Sequence, residues 1–335
     1  EVGHHLATAR RDPRQSQRGG AFCRHKSMAV VFLATAFAAG TAIPTATFRP
    51  DLRPDGVPVV LMPPGALEAE FAAQLAAEKS YPFKEFSEKY VKDALATDVD
   101  WRTKGLVTPA KDQGGHGYCG TFGRVAAAEG QFARFSGHGL RNFSEEELVD
   151  CIGWDKDQFS YFAPHGFMDT AVYPYNTTGP DMDPPIPYNP CRYTKSEVIK
   201  GSDDNHFTNM TGAAPNEDQL VAFLHHNGPV QTGINANVFG MREKGCEANS
   251  SCFITADMCN DPKIKGKPID HSITLVGYGK DVEHGDYWIV KNSWSTKFAN
   301  NGFIKVARGI SCASIDCCGN TFTYGDPAKY YEHKA

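Results

Sequence analysis

The chain has no excess of basic residues, few cysteines and no long apolar run, and each shortage excludes a class of protein. Its 34 lysines and arginines are outnumbered by 39 aspartates and glutamates, so the net charge of −5 gives no basic surface for a phosphate backbone. Ten cysteines in 335 residues are too few for a mini-protein that depends mainly on disulfides. Aromatic residues, at 11%, are too frequent for a disordered chain. We therefore predict a folded protein of about two domains with no nucleic-acid partner.

The longest apolar run, MAVVFLATAFAAGTA at residues 28–42, follows a basic stretch. A membrane span needs about 20 apolar residues, so no stable span is predicted. The run ends in small residues at Gly40 and Ala42, as a secretory signal peptide does. A buried core helix is the alternative, but Pro44 and the prolines after it stop its continuation. We predict a leader and signal peptide at residues 1–42.

A short amphipathic helix is predicted after the proline-rich stretch. Leu67, Phe71 and Leu75 recur at four-residue steps among polar residues. This helix fits a pro-segment, which we place at residues 43–96. The alternative is that it forms the N-terminal helix of the mature domain.

A glycine-punctuated loop leads into Cys119, and apolar residues at helical spacing follow it. The pattern therefore places Cys119 at the start of a helix. The partial positive charge of a helix N-terminus favours the thiolate, which is the form that attacks a carbonyl carbon. By itself, the pattern also fits an inert buried cysteine.

Two stretches, PIDHSITLVGYG and DYWIVKNSW, alternate branched and aromatic residues as strands do. A loop with Gly279 and Gly285 joins them, which predicts a hairpin. His271 and Asn292 are equally distant from the middle of this loop, so we expect them to be neighbours. A histidine held by an amide is the arrangement that the base of a nucleophile needs. A structural histidine beside an asparagine is the alternative.

Six motifs follow one another from Asp98 toward the C-terminus: DWRTKGLVTPAKDQG, GHGYCGTF, EEELVDC, YPY, IDHSITLVGYG and YWIVKNSW. With these motifs in this order, the chain resembles the papain-like cysteine peptidases, the family of papain and the lysosomal cathepsins. The resemblance implies that Cys119 is the nucleophile, His271 the base and then the acid, and Asn292 the residue that orients the imidazole. It also implies that Gln113 supplies the oxyanion hole with the Cys119 backbone N–H, and that Trp294 shields the histidine–asparagine hydrogen bond from water.

The resemblance implies an α+β fold of two subdomains with a cleft between them. The helical subdomain is expected at residues 97–212 and an antiparallel β-barrel subdomain at residues 213–335. The implied function is a cysteine endopeptidase that forms an acyl-enzyme, uses no cofactor or metal, and is made as a secretory zymogen. Its expected partners are protein and peptide substrates and its own pro-segment as inhibitor. The expected form is a monomer in a lysosomal, vacuolar or extracellular location.

The chain also departs from the family pattern. His116 stands where the family has a cysteine, Gly120 replaces the aromatic residue after the nucleophile, and Phe298 stands where a second tryptophan is usual. A Cys-Asn-Gly-Gly-like segment is missing after Cys151. These departures motivate an alternative, a catalytically silent member that binds peptide or protein partners. Retention of the four residues assigned to catalysis and the oxyanion hole argues against it.

Eight cysteines remain when Cys23 in the leader and Cys119 are set aside, an even number suited to disulfides in an oxidising compartment. The resemblance pairs Cys151 with Cys191 and suggests Cys259 with Cys318. The pairing of the others stays open, and a zinc site is a weaker alternative because no CxxC pair or histidine partner is present. The open cysteines are Cys246, Cys252, Cys312 and Cys317, and the zinc alternative uses Cys246, Cys252 and Cys259.

Four N-x-Ser/Thr sequons give mild support to secretion, and the first of them also has a structural explanation. Ser144 and Glu147 have the spacing of a helix capping box. The sequons begin at Asn142, Asn176, Asn209 and Asn249.

Overall fold

A computed structural model describes residues 47–69, 81–82, 84–153, 157–176, 189–199, 207–211, 214, 216–242, 246, 252–316 and 322–325. The predicted leader and signal peptide lie outside these residues, as do Phe71 and Leu75 of the predicted pro-segment helix. Residues 66–69, which include Leu67, are helical. Within the described ranges, no helix combines the length and the apolar character that a membrane crossing requires.

Five of the six α-helices given below begin after a side chain that accepts a backbone N–H of the first turn, whereas the helix that starts at Cys119 has no side-chain cap. Ser144 Oγ accepts the N–H of Glu147 at 3.0 Å, as the predicted cap requires. Asn216 Oδ1 accepts the N–H of Gln219 in the same way. The α-helices are α1 (Glu88–Leu95), α2 (Cys119–Phe135), α3 (Glu145–Cys151), α4 (Gln158–His165), α5 (Glu217–Asn227) and α6 (Ala256–Asn260).

The described strands are β1 (Thr47–Arg49), β2 (Val59–Leu61), β3 (Tyr81–Pro82), β4 (Val99–Asp100), β5 (Phe207–Thr211), β6 (Val230–Ile234), β7 (Phe253–Ile254), β8 (His271–Asp281), β9 (Gly285–Lys291), β10 (Phe303–Ala307) and β11 (Phe322–Tyr324). The largest sheet has the strand order β4-β8-β9-β10-β7, and β6 also pairs with β8. Its pairs are antiparallel except β10 with β7. A two-stranded sheet joins β1 to β2, and a three-stranded sheet has the order β11-β5-β3.

Two hydrophobic cores flank helix α2. One lies behind α2 and contains Phe132, Phe143 and Phe162, all fully buried. The other fills the space around the large sheet and includes Trp288 and Leu275. One core is formed mainly by helices and the other surrounds a mainly antiparallel sheet, which makes this the α+β fold that the sequence predicts.

Helix α1 belongs to the sheet-side core. Phe86, just before it, is buried, and its backbone N–H and C=O both bond the side-chain amide of Gln219 on α5. Tyr278 donates its hydroxyl to the carbonyl oxygen of Ala94 at 2.9 Å. Phe86 and helix α1 are therefore packed into the core around the large sheet.

The disulfides correct one predicted pair. The structure joins Cys151 to Cys191, the pair that the resemblance implies. Cys259 is bonded to Cys312 and not to Cys318, which lies outside the described residues. The reason is that a short 3-10 turn at Cys312–Ser314 packs against α6 and brings the two Cα atoms within 5.0 Å.

The remaining described pair is Cys246 with Cys252. The zinc alternative is therefore wrong, because disulfides occupy all three of its sulfur ligands.

Candidate active site

Cys119 is the first residue of α2 and is fully buried. Among the described cysteines, it is the one that forms no disulfide. Its side chain lies in a small apolar cluster with Met62, Leu67 and Ile269. Two of these residues come from the predicted pro-segment, so that segment covers the thiol.

His271 and Asn292 meet as the sequence predicts, although the hairpin is not symmetric about the expected centre. The residue pairs of β8 and β9 that lie nearest the turn are symmetric about residue 283. Farther from the turn, a β-bulge between Leu275 and Gly277 shifts the register. The Nε2 atom of His271 lies 2.8 Å from Asn292 Oδ1.

The neighbouring backbone determines the tautomer of His271. Asn292 Oδ1 also accepts the backbone N–H of Ser293 at 2.8 Å, so the amide oxygen, and not the nitrogen, faces the imidazole. Nε2 must therefore carry the proton and donate it. The other ring nitrogen, Nδ1, is buried and has no hydrogen-bond partner among the described residues. It is the basic nitrogen of this side chain.

Burial keeps this imidazole neutral. Desolvation lowers the pKa of His271 to about 4, and the bond to Asn292 only partly opposes the shift. Trp294 is fully buried, and its ring centroid lies 4.6 Å from that of His271. Phe239 and Phe298 pack edge-on against Trp294, so an aromatic wall excludes water from the histidine–asparagine bond.

Gln113 presents a fixed amide close to the thiol-bearing helix. Ser293 donates its hydroxyl to Gln113 Oε1 at 2.6 Å, and Gln113 Nε2 donates to the His116 carbonyl at 2.6 Å. The amide nitrogen carries a second hydrogen, for which the described residues provide no acceptor. A pre-oriented N–H group of this kind is what an oxyanion hole requires.

Aromatic contacts pack the loop before Cys119, where the chain departs from the family pattern. His116 is buried and its ring stacks on Tyr118 at a centroid distance of 5.3 Å. Tyr175 donates its hydroxyl to the Gln113 carbonyl at 2.8 Å. Aromatic packing thus lies where the sequence lacks the cysteine three residues before Cys119.

A buried set of charges joins the helical side to the strand that ends next to Asn292. Lys111 bonds Glu129 at 2.8 Å and Glu145 at 2.7 Å. Lys291 donates to Thr108, which in turn donates to Glu129. Desolvation lowers the pKa of Lys291 to about 8. The charges are compensated and hydrogen-bonded, so they hold the two sides in one arrangement.

The N-terminal segment is tied to the site by polar contacts that the sequence did not reveal. The Met62 N–H donates to the carbonyl oxygen of Asp270, the residue before His271, at 2.9 Å. Arg53 is buried and bonds both carboxylate oxygens of Asp112, the residue before Gln113. It also pairs with Asp55. No periodic pattern in the sequence predicts these contacts, because they depend on which residues the fold brings together.

A family model and individual known proteins both match this chain, and they agree on one family. The model of the family described as "Papain family cysteine protease" matches residues 95–321. A cathepsin L-like protein of Caenorhabditis elegans is 35% identical over 218 residues, which are 63% of this chain and 59% of that protein. Cathepsin L1 of Drosophila melanogaster is 34% identical over 237 residues, 66% of this chain and 57% of that protein. The chain thus matches about three fifths of the length of these two relatives.

Solved structures share the fold. The digestive procathepsin L 3 of Tenebrio molitor larval midgut superposes with a TM-score of 0.55 at 22% identity, covering 90% of each chain. The proform of the ragweed pollen allergen Amb a 11 superposes with a TM-score of 0.54 at 25% identity, covering 80% of this chain and 77% of that one.

Proposed function

The chain belongs to the papain family of cysteine proteases, and from this premise we propose that it is an endopeptidase that uses Cys119 and His271 as its catalytic dyad. Asn292 orients the imidazole, Trp294 shields it, and Gln113 stabilises the oxyanion. The observation that carries the proposal is the contact of His271 Nε2 with Asn292 Oδ1, from which the tautomer follows. Nε2 donates its proton to Asn292 Oδ1, so the unprotonated Nδ1 is the atom that can accept a proton.

The steps of the reaction follow from these roles. His271 Nδ1 takes the thiol proton of Cys119, and the thiolate attacks the carbonyl carbon of an extended peptide. The oxyanion is held by the Cys119 backbone N–H and the Gln113 amide. The imidazolium then gives its proton to the departing amine, which leaves an acyl-enzyme. Water, deprotonated by His271, hydrolyses the thioester and restores the thiol.

The test is cleavage of a fluorogenic dipeptide amide by the processed protein under mildly reducing conditions, before and after alkylation. Loss of turnover when mass mapping locates the label on Cys119 supports the proposal. The proposal fails if the folded protein cleaves nothing in a broad peptide library and Cys119 alkylates no faster than an ordinary thiol.

In the same proposal, residues 43–96 form a pro-segment that inhibits the peptidase regions at 97–212 and 213–335. Its support is the burial of Cys119 under Met62 and Leu67 and the backbone bond from Met62 to Asp270. A segment bound in this way occupies the place of a substrate and blocks the nucleophile.

Arg53→Ala is expected to speed self-processing of the purified proform by about tenfold at pH 5, because the segment loses a two-bond ion pair to Asp112. The partly exposed Asp112 keeps the effect below that of a fully buried pair. Lys89→Ala is the matched control, since Lys89 lies on the same segment with an exposed side chain. Equal processing rates for the proform and both variants contradict the anchoring role.

The proposed location is an acidic or extracellular compartment of the secretory pathway, and buried carboxyl groups are consistent with an acidic one. Desolvation raises the pKa values of Glu147, Glu217 and Asp270 to about 7. Each group is protonated in the folded state at a pH where it is ionised when unfolded. The stability it provides is therefore complete below about pH 4 and is lost as the pH rises to about 7.

Glu147→Gln is expected to flatten this dependence. The amide replaces the protonated carboxyl, accepting the Met168 N–H and donating to the Tyr161 hydroxyl. The stability that the variant gains over the parent protein, measured as the increase in the free energy of unfolding, should be about 3 kcal/mol larger at pH 7.5 than at pH 4.5. Denaturant unfolding at both pH values measures the difference. The exposed Glu283→Gln serves as control, and an unchanged slope for Glu147→Gln contradicts the prediction.

A further inference from the structure

Gln231 is a fully buried polar residue in β6, a strand in which every residue is buried. Its side-chain nitrogen donates to the backbone carbonyl of Gly120 at 3.1 Å and to Ser272 Oγ at 3.0 Å. Gly120 follows Cys119 in the chain, and Ser272 follows His271. One amide group therefore links the two segments that carry the proposed dyad.

The orientation of this amide follows from its partners. A backbone carbonyl only accepts, so the nitrogen of Gln231 must face Gly120. Both N–H bonds are then used. The oxygen, Oε1, is buried without a partner among the described residues, which is unfavourable. An apolar side chain of the same size would avoid this penalty but could not form the bridge.

Helix α2 lies unusually close to β8 at the same place. A Cβ atom added to Gly123 would lie 2.6 Å from Ser272 Oγ and 3.3 Å from Gln231 Cγ. Thr274 also donates its hydroxyl to the Gly123 carbonyl at 3.0 Å. Glycine is unfavourable inside a helix, so its presence here fits a requirement for close approach. The glycine makes room for the bridging glutamine.

We propose that Gln231 is a positioning residue that holds the first turn of α2, with Cys119, against the start of β8, with His271. The inference rests on the proposed function. Gln231 acts only through Gly120 and Ser272. A small displacement between a nucleophile and its base costs much rate, so this bridge contributes to kcat more than to substrate binding.

The test compares Gln231→Met with Gln131→Met. Gln131 is a matched control because it is buried on α2, donates one bond to the Pro229 carbonyl and has an unpartnered Oε1. Each methionine keeps the volume and removes the amide. We expect Gln231→Met to lower kcat by about tenfold or more with little change in KM, because the dyad loses its alignment. Gln131→Met should keep kcat within about twofold of the parent value, since that amide is remote from the dyad.

A second readout separates positioning from general stability. The pH dependence of Cys119 alkylation by iodoacetamide in the processed protein reports how closely the thiol and imidazole interact. Gln231→Met should move this profile toward that of an ordinary thiol, and Gln131→Met should not. In a double-mutant cycle, Ser272→Ala should have a smaller effect in the Gln231→Met background than in the parent protein.

The inference is overturned if Gln231→Met matches Gln131→Met in both kcat and alkylation profile, or if both variants lose activity in proportion to a fall in Tm. If the parent protein shows no turnover dependent on Cys119, the proposed function fails. The alkylation profiles still decide in that case whether Gln231 positions the thiol against the imidazole.

Discussion

Replacement of Cys119 with alanine is expected to lower kcat for peptide hydrolysis by about 10⁴-fold or more, because the acyl-enzyme can no longer form. The fold should persist, since the side chain is small and lies in an apolar cluster. Active-site-titrated parent enzyme and the purified variant, assayed on the same peptide amide, measure the ratio.

Cys119→Ser is the informative companion variant. It keeps the shape of the side chain, but a hydroxyl has a far higher pKa than a thiol and is not activated to the same extent at a helix N-terminus. We expect it to be nearly as inactive as Cys119→Ala. Conversion of the variant proforms by a trace of parent enzyme to a resistant product of the same size as the processed parent, and not to small peptides, would show that they are folded. Turnover by Cys119→Ala near the parent rate would disprove the assignment of the nucleophile.

Replacement of Gln113 with alanine is expected to lower kcat by about 10² to 10³-fold with little change in KM, as for loss of one oxyanion-hole donor. The amide is oriented from both ends, by Ser293 at its oxygen and by the His116 carbonyl at its nitrogen. It therefore needs no rearrangement when charge develops on the substrate.

Ser293→Ala provides the graded control for this prediction. It removes the hydroxyl that fixes the Gln113 oxygen but leaves the donor in place, so the fall in kcat should be about tenfold. Steady-state kinetics at saturating peptide measures both variants. A rise in KM at constant kcat for Gln113→Ala would mean that the amide binds the ground state and does not stabilise the transition state.

The sequence predicted the elements of the site better than the contacts between them. The Cys119 helix, the strand that begins at His271 and the strand that ends just before Asn292 follow from local patterns, and these elements are present. The symmetric hairpin argument brought His271 to Asn292, although it did not anticipate the bulge near Leu275. Residues at diagonal positions of paired strands can still come within reach of each other, and so the prediction succeeded despite the wrong centre.

Long-range partners were not predictable, for a physical reason. The choice between Cys312 and Cys318 for Cys259 depends on a turn that places one Cα within bonding reach, and spacing along the chain does not encode it. The bridge made by Gln231 depends on a close approach of α2 to β8, which only tertiary packing creates. In the sequence, Gln231 is merely one polar residue within a strand.

The docking of α1 also matters for how the chain can be matured. A peptidase binds its substrate as an extended strand, whereas the bonds within Glu88–Leu95 are helical and the flanking Phe86 backbone is held by Gln219. If α1 left the molecule after a cut, the apolar face of α5 that covers Phe86 would become exposed to solvent. The site of the cut therefore determines whether the apolar residues of α5 become exposed to solvent, as well as whether Cys119 becomes accessible.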